Sequence, residues 1–211
     1  MLKKNKGTLI LTSILTILPI LAGLILWNKL PDQIATHWSA SGEANGWSSK
    51  SFAVFGLPAF LLLMHWVCVF ATLSDPRRRN ISYKLFRVVI WLIPILSLLC
   101  NGAVYAAALG ANVRFDMIVM PLLGVLFIVI GNYLPKCKQS YTMGIKLPWT
   151  LHDEENWNRT HRLAGKVWVI GGAAILLTIP FQANMLLPFI VAIMVLIPTV
   201  YSYVYYRKHR N

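Results

Sequence analysis

The longest polar segment of the chain is 143-MGIKLPWTLHDEENWNRTHRLAG-165, and it separates two strongly apolar regions. It holds three of the seven acidic residues, two of the five histidines and two of the eight tryptophans. Charged and aromatic side chains gathered between apolar runs are typical of a segment at a membrane surface. We therefore interpret the regions on both sides as membrane helices that fix the position of this segment.

The flanking regions contain apolar runs of roughly twenty residues, the length of helix that crosses the ~30 Å apolar core of a bilayer. The chain is 57% hydrophobic and 13% charged, whereas about a quarter of the residues of a soluble domain are charged. Backbone groups in lipid must bond to one another, which favours helices for runs of this length. The sequence predicts an all-α, polytopic membrane helical bundle with six transmembrane helices, at about 8–27, 52–73, 86–109, 117–134, 167–180 and 185–206.

The basic residues are distributed unevenly between the polar segments. Seventeen of the 20 Lys and Arg residues fall in alternate segments together with four of the seven acids, and the other segments hold three of each. By the positive-inside rule the basic side is cytoplasmic, so we predict a multi-pass cell-membrane protein with both termini in the cytoplasm. This distribution accounts for the net charge of +13 through contact with anionic membrane lipids, without direct nucleic-acid binding.

The polar segment itself predicts a helix that begins near Leu151 and continues into the fifth span. Thr150 is the expected N-cap, with Asp153 three residues further on in an arrangement that resembles a capping box. Acidic residues in the first turn suit the positive end of the helix dipole. Helical spacing places four side chains on one face, namely Glu154, Trp157, Asn158 and His161.

Three interpretations of this helix are open on the residues alone. It is an amphipathic helix anchored in the head groups by Trp157, or a docking face for a cytoplasmic partner. The third interpretation is a membrane-interface enzyme or small transporter that uses Glu154, His152 and His161. The two histidines are nine residues apart and do not fit the His-Glu-x-x-His spacing of zinc hydrolases. Within the spans, His65 is expected to be a packed, hydrogen-bonded histidine.

The sizeable external segment is loop 28–51, which carries two tryptophans and one histidine. Asn45-Gly46 lies between Trp38 and Trp47 and is a candidate hairpin turn, and Ser41-Gly42 is a second turn dipeptide. The loop is interpreted either as a compact turn with its tryptophans in the head groups or as a recognition surface for a peptide.

Two groups of residues resemble one known family. Gly131-Asn132, Gly144-Ile145-Lys146-x-Pro148-Trp149-Thr150 and Asn156-Trp157-x-x-Thr160-His161-Arg162 resemble the signature of the SdpI-like bacterial membrane immunity proteins. Leu30-Pro31-x-x-Ile34-x-x-His37-Trp38, Gly42 and Gly46-Trp47-x-Ser49-Lys50 resemble the two-span domain of unknown function that often precedes this signature. Lys146 stands where the family usually has arginine, and a lysine cannot make the planar two-pronged contact of a guanidinium.

The resemblance implies a two-span domain at 1–85 with an external loop at 28–51, followed by a four-span domain at 86–211 with a cytoplasmic motif loop at 135–166. It implies a protein that is not an enzyme, needs no cofactor or metal, and protects its owner from a secreted, membrane-active peptide toxin. Some relatives also hold a transcriptional repressor at the membrane, so signalling is a further expectation. The implied inner motif consists of Asn132, Gly144, Lys146, Pro148, Trp149, Thr150, Asn156, Trp157, Thr160, His161 and Arg162. The implied toxin-recognition residues of the outer loop are Pro31, His37, Trp38, Gly42 and Trp47.

Overall fold

A computed structural model describes residues 2–39 and 42–209 of the chain, with side chains from residue 5 onward. These residues form mostly helix, together with one antiparallel hairpin. The helices are α1 (Leu2–Ile25), α2 (Leu57–Leu73), α3 (Tyr83–Ala108), α4 (Asp116–Tyr133), α5 (Pro148–His152), α6 (Glu154–Thr178) and α7 (Leu187–Lys208), and the strands are β1 (Gln33–Trp38) and β2 (Ala44–Ser49). A π-helical turn, Phe52–Gly56, leads into α2.

Five helical stretches within the described residues are long and apolar enough to cross a membrane: Asn5–Ile25, Phe52–Leu73, Tyr83–Ala108, Asp116–Lys136 and Asn184–Lys208. They correspond to five of the six predicted spans. The predicted fifth span lies in α6, whose first turns are polar. The apolar part of α6, residues 167–178, extends roughly 18 Å at ~1.5 Å per residue, which is less than the ~30 Å core of a bilayer. Six spans and cytoplasmic termini therefore stay predictions.

One compact unit comprises the residues up to Leu73 together with Tyr83–Phe115. Buried polar groups join its helices: Thr12 Oγ1 lies 3.3 Å from His65 Nε2, and Ser97 Oγ donates to the Thr16 carbonyl at 2.7 Å. The Tyr105 hydroxyl donates to a carbonyl of α1 in the same way. Hydrogen bonds of this kind hold helices together in a bilayer, where the hydrophobic effect does not drive helices to associate. The prediction that His65 is a packed, hydrogen-bonded histidine is confirmed.

The other compact unit comprises Ser74–Ser82 together with the residues from Asp116 onward. In it α4 and α6 approach backbone to backbone at two pairs of glycines. A Cβ added to Gly131 would lie 3.0 Å from the Gly165 carbonyl oxygen, and one added to Gly172 would lie 2.6 Å from that of Gly124. Side chains larger than hydrogen would separate the helices. The glycines therefore hold the polar beginning of α6 beside the end of α4.

The two units do not follow the order of the chain. Ser74–Ser82 belongs to one unit, although α2 and α3 on either side of it belong to the other. This short segment is thus bound to residues that lie far along the sequence. The division at residues 85 and 86 rests on the family resemblance and stays a prediction.

Candidate functional site

The polar segment folds as a short helix followed by a long one, with a break at Asp153. Asp153 is extended (φ −130°, ψ 111°), and its carboxylate accepts the Asn156 N–H at 3.0 Å. Asp is a preferred N-cap because its side chain replaces the bond that the first turn lacks. The predicted single helix from Leu151, capped by Thr150, is therefore wrong: α6 begins after the break and Asp153 caps it.

Thr150 instead closes the turn that enters α5. Its hydroxyl accepts the Leu147 N–H at 3.0 Å and donates to the Ile145 carbonyl at 2.9 Å. Pro148 occupies the first position of α5, where the missing N–H of a proline removes no helical bond. Thr150 is fully buried, so its hydroxyl is structural and does not face solvent.

Trp157 and His161 form a buried stack beneath the loop. Their ring centroids are 4.0 Å apart and their exposed fractions are 0% and 1%. The Trp157 indole N–H donates to the Cys137 carbonyl at 2.8 Å, and His161 Nε2 accepts the Ile145 N–H at 2.9 Å. His161 Nδ1 lies 2.7 Å from the Trp157 carbonyl oxygen, which requires its proton on Nδ1. Both ring nitrogens are thus occupied within the chain.

The environment of His161 keeps its ring neutral. Burial lowers the pKa of His161 to about 4, although the hydrogen bond to the Trp157 carbonyl acts in the opposite direction. Only the neutral ring can accept the backbone N–H of the loop. Gly144 passes directly over it with φ +104°, and a Cβ there would lie 2.5 Å from His161 Nε2. Glycine is required by both the conformation and the close approach.

Ser202 of α7 fastens the same segment from the other side. The Trp149 indole N–H donates to Ser202 Oγ at 3.0 Å, and Asn156 Nδ2 donates to the Ser202 carbonyl at 3.0 Å. Thr160 Oγ1 in turn donates to Asn156 Oδ1 at 3.0 Å. The Trp149 ring also stacks on Tyr206. Of the predicted inner motif, Trp149 and Asn156 therefore contact α7 directly, and Thr160 supports Asn156 from within α6.

A buried carboxylate binds Ser74–Ser82 to this loop. Asp75 is 3% exposed and accepts the N–H groups of Tyr141 and Thr142, both at 2.9 Å, and the Thr142 hydroxyl at 2.8 Å. It also accepts the Arg77 N–H at 2.7 Å. Burial by itself raises the pKa of Asp75, but the four hydrogen bonds together hold that pKa below its usual value.

Two further side chains of the short segment reach Gln139. The Arg77 guanidinium donates to Gln139 Oε1 at 3.1 Å and to the Leu151 carbonyl at 3.2 Å. Asn80 Nδ2 donates to the Gln139 carbonyl at 2.7 Å. Gln139 itself donates to the Thr150 carbonyl at 2.9 Å. We call the joined segments, Ser74–Ser82 and residues 134–152, the polar cap.

The structure divides the predicted inner motif into two groups. A connected network contains Gly144, Trp149, Thr150, Asn156, Trp157, Thr160 and His161. The remaining motif residues are exposed, namely Asn132, Lys146, Pro148 and Arg162. The motif is therefore mainly a framework that shapes the polar cap.

The four residues predicted to share one face of α6 keep their helical spacing but do not share one environment. Trp157 and His161 are buried, whereas Glu154 and Asn158 are exposed. The inward positions beside Trp157 and His161 are taken by Asn156 and Thr160, which are also buried. A docking face built on the two rings is excluded because they are inaccessible. On the exposed side of α6, Glu155 and Arg159 form an i,i+4 salt bridge, with Arg159 Nη2 2.7 Å from Glu155 Oε1.

The cluster of His152, Glu154 and His161, considered for an enzyme or transporter, is not assembled. Exposed His152 has its Nδ1 2.6 Å from the Pro148 carbonyl oxygen, and His161 has no free ring nitrogen. Across residues 2–39 and 42–209 no group of three His, Cys, Asp or Glu side chains is placed to hold a metal ion.

The outer loop forms the predicted hairpin, but its turn is elsewhere. Asn45 and Gly46 lie within β2, opposite the end of β1, so the prediction of an Asn45-Gly46 turn is wrong. The Ser39 N–H donates to the Glu43 carbonyl at 2.9 Å, and Gly42 has φ +84° in the connection. Ser41, of the predicted Ser41-Gly42 dipeptide, lies outside the described residues.

The hairpin presents one face to solvent. Trp47 is 59% exposed, and His37, also exposed, has its Nδ1 2.5 Å from Asn45 Oδ1. Trp38 stacks on Phe115 with ring centroids 3.5 Å apart. Of the five predicted recognition residues, Trp38 supports the hairpin, Gly42 lies in its turn, and exposed Pro31 precedes β1. His37 and Trp47 are left as the side chains available for recognition.

Sequence reasoning missed five residues that hold the site together: Asp75, Arg77, Asn80, Gln139 and Ser202. A weak signal existed for Asp75, which stands alone as an acid before three arginines. A serine among the tyrosines of α7 was a weak signal for Ser202. Nothing in the sequence pairs residue 75 with residues 141 and 142, because that pairing arises only in the folded chain.

Comparisons with known proteins cover both of these regions. Residues 136–202 match the SdpI/YfhL protein family, and residues 14–62 match a domain of unknown function (DUF1648). The chain resembles the SdpI/YfhL protein family over this region. The predicted resemblance is confirmed, and the SdpI-like match runs from the polar cap to Ser202.

The chain is also similar over nearly its full length to one named relative. Immunity protein SdpI of Bacillus subtilis (strain 168) is 28% identical over 214 residues, which cover 98% of each chain. No solved structure matches the chain at a significant level.

Proposed function

We propose that this SdpI-like chain is a membrane immunity protein that protects the cell from a secreted, membrane-active peptide toxin. The observation that supports this most is its similarity to Immunity protein SdpI over nearly the whole of both chains. That similarity includes the outer hairpin as well as the polar cap. In this proposal the chain crosses the membrane six times with both termini in the cytoplasm, as its charge distribution predicts.

The hairpin is the proposed contact for the peptide. Its exposed face combines a large indole, Trp47, with the imidazole of His37 and the amide of Asn45. A tryptophan on a supported scaffold provides apolar contact area at a small cost in side-chain entropy. A salt bridge of 3.1 Å between Lys50 and Asp32 closes the base of the hairpin, so the face is ordered before any ligand arrives.

The polar cap is the proposed cytoplasmic surface. Its framework residues are buried, so they shape the surface for a partner and do not touch that partner themselves. A transcriptional repressor is the partner that the family resemblance implies, and anionic lipids are a second class. Peptide binding outside would then favour one arrangement of helices, which the cap reports inside. A non-enzymatic mode of action fits the complete internal bonding of His161.

Survival of a toxin-sensitive bacterium tests the proposal. We would express the chain in cells sensitive to a sporulation-delaying type of peptide toxin and count survivors beside an empty vector. Protection is expected from the unaltered chain and reduced protection from Trp47→Ala. Phe181→Ala is a matched control because that side chain is 80% exposed and lies outside the hairpin.

Membrane abundance is measured for every strain by quantitative immunoblot. No protection by an abundant, unaltered chain would overturn the immunity proposal for this class of toxin. Equal protection by Trp47→Ala and Phe181→Ala would instead overturn the role given to the hairpin face.

A further inference from the structure

The polar cap carries a cationic surface that two distant segments build together. Arg78 and Arg79 of the short segment are exposed, as are Lys136, Lys138 and Lys146 of the long one. Within these two fully described segments Asp75 is the sole acidic residue, and it is buried among four donors. The outward surface of the polar cap therefore presents cations and no carboxylate.

The hydrogen bonds of the cap are made by residues that neighbour three of these cations. Arg79 lies between Arg77 and Asn80, both of which donate to Gln139. Lys138 directly precedes Gln139 in the chain. Lys146 Nζ donates to the Thr142 carbonyl at 3.4 Å, and Thr142 is also bound to Asp75. Arg79 and Lys138 are thus adjacent in the chain to residues that join the two segments, and Lys146 is hydrogen-bonded to such a residue. The sequence separates the two segments by about sixty residues.

The position and neighbours of this surface suit lipid head groups. The long segment follows the end of α4 directly, and Lys136 Nζ lies 5.5 Å from the ring centroid of Tyr133. The Arg77 guanidinium lies 5.0 Å above the Tyr141 ring. Amphipathic rings beside basic side chains at helix ends mark the head-group layer of a membrane. Of the three acids that follow in the chain, Asp153 caps α6 and Glu155 is paired with Arg159. Glu154 is exposed and lies on α6, beyond the end of the polar cap.

We propose that the polar cap is a binding site for the phosphate head group of an anionic phospholipid. The proposed ligands are Arg79, Lys138 and Lys146, and the pairing of the two segments by Asp75 holds them in place. General attraction of basic segments to anionic membranes needs no such arrangement, whereas this site exists only in the folded cap. The proposal rests on the cytoplasmic placement of the polar cap given under the proposed function. Its test measures lipid affinity and not survival, so the two proposals can fail separately.

Native mass spectrometry of the detergent-solubilised full chain measures this binding. Titration with phosphatidylglycerol is compared with phosphatidylcholine and with inorganic phosphate. The triple variant Arg79→Gln, Lys138→Gln, Lys146→Gln should bind phosphatidylglycerol on the order of 100-fold more weakly, since each cation near a membrane surface contributes ~1 kcal/mol. The control triple Lys166→Gln, Arg207→Gln, Lys208→Gln removes the same charge from exposed helical positions of the same unit and should change the affinity by less than about threefold.

Asp75→Asn separates a built site from diffuse attraction. It keeps every cation and raises the net charge by one, so diffuse attraction predicts tighter binding. A site held together by Asp75 predicts weaker binding instead. Asn80→Ala, which removes the bond to Gln139 without a change of charge, should also weaken it. Near-UV circular dichroism confirms that each variant is folded under the titration conditions.

Three results would overturn the proposal. One is equal loss of affinity in the two triple variants, and another is tighter binding by folded Asp75→Asn. The third is equal binding of phosphatidylglycerol and phosphatidylcholine, which would mean that the surface binds a soluble acidic partner and not an anionic lipid.

Discussion

The replacement Asp75→Asn tests the central contact of the polar cap. Asparagine has nearly the same shape as aspartate but offers one acceptor oxygen and one donor group. Three of the four donors around Asp75 converge on Oδ2, namely the N–H and hydroxyl of Thr142 and the N–H of Tyr141. The amide oxygen therefore takes that position, and the new NH2 group faces the Arg77 N–H, which donates to Oδ1 in the native chain.

The expected cost follows from these four bonds. A hydrogen bond to a charged group contributes about 1.5–3 kcal/mol and a neutral one about 0.5–1.5 kcal/mol. In Asp75→Asn the three bonds to Oδ2 become neutral hydrogen bonds in place of charged ones. The fourth bond is lost, because the new NH2 group and the Arg77 N–H are both donors. Burial of the neutral amide is easier than burial of the carboxylate, which offsets part of the loss. We expect Asp75→Asn to lower the free energy of unfolding by roughly 3 kcal/mol.

Unfolding in mixed micelles measures this change, with Asp32→Asn as the matched control. Asp32 has a 98% exposed side chain and pairs with Lys50 at 3.1 Å, so its replacement should cost less than about 1 kcal/mol. Hydrogen exchange supplies a local measurement, because the amides of Tyr141 and Thr142 should exchange faster in Asp75→Asn. Equal stability of the two variants, with unchanged exchange at those amides, would refute the role given to Asp75.

Three further predictions concern the framework. His161 should stay neutral in the folded chain down to about pH 4, whereas the same histidine in the unfolded chain is protonated near pH 6.5. Between these pH values the unfolded state therefore binds one more proton than the folded state. The free energy of unfolding should fall by about 3 kcal/mol as the pH drops from 6.5 to 4. Denaturant unfolding at pH 7, 5.5 and 4 checks this. Gly172→Ala should destabilise by on the order of 1–3 kcal/mol, because its Cβ would meet the Gly124 carbonyl oxygen, and thermal unfolding measures it. Trp149→Phe should keep the aromatic stack but lose the bond to Ser202, at a cost of about 1 kcal/mol that a cycle with Ser202→Ala isolates.

Each of these has an outcome that would contradict it. A stability profile that is flat between pH 6.5 and 4 would mean that His161 titrates normally. For the contact between α4 and α6, Gly102→Ala is the control because nothing lies within 4 Å of its added Cβ. Gly172→Ala should lower the thermal stability more than Gly102→Ala does, and an equal loss would contradict the prediction. Additive effects of Trp149→Phe and Ser202→Ala would show that the two side chains do not interact.

Much of this protein was predictable from local sequence. Apolar runs long enough to cross a bilayer predicted five helices that the structure confirms, because in lipid such a run satisfies its backbone only as a helix. The presence of a hairpin in loop 28–51 was predicted, although Asn45-Gly46, which was expected to form its turn, lies in β2. The family resemblance was predictable from the fixed offsets of its tryptophans and prolines. These features depend on neighbours in the chain or on a short pattern of residue types.

Local sequence failed where a side chain chose between near and distant partners. Thr150 and Asp153 are both good N-caps, and only the bonds of Thr150 to Ile145 and Leu147 decide that Asp153 caps α6. Helical spacing also could not show which side of α6 is buried, since Trp157 is buried whereas Glu154, three residues before it, is exposed. A prediction based on helical spacing cannot include a helix break that tertiary bonds stabilise.

The sequence alone therefore determined the apolar helices, the uneven charge and the kind of residues in the two loops, since each is a property of composition and spacing. Only the tertiary structure decided what those residues do. Trp157 and His161 are framework because Gly144 and Ile145 lie over them. The basic residues of two distant segments form one surface because the Asp75 carboxylate requires donors, and the loop at 141–142 supplies them. Pairings of this kind depend on distance in space, which no local pattern records.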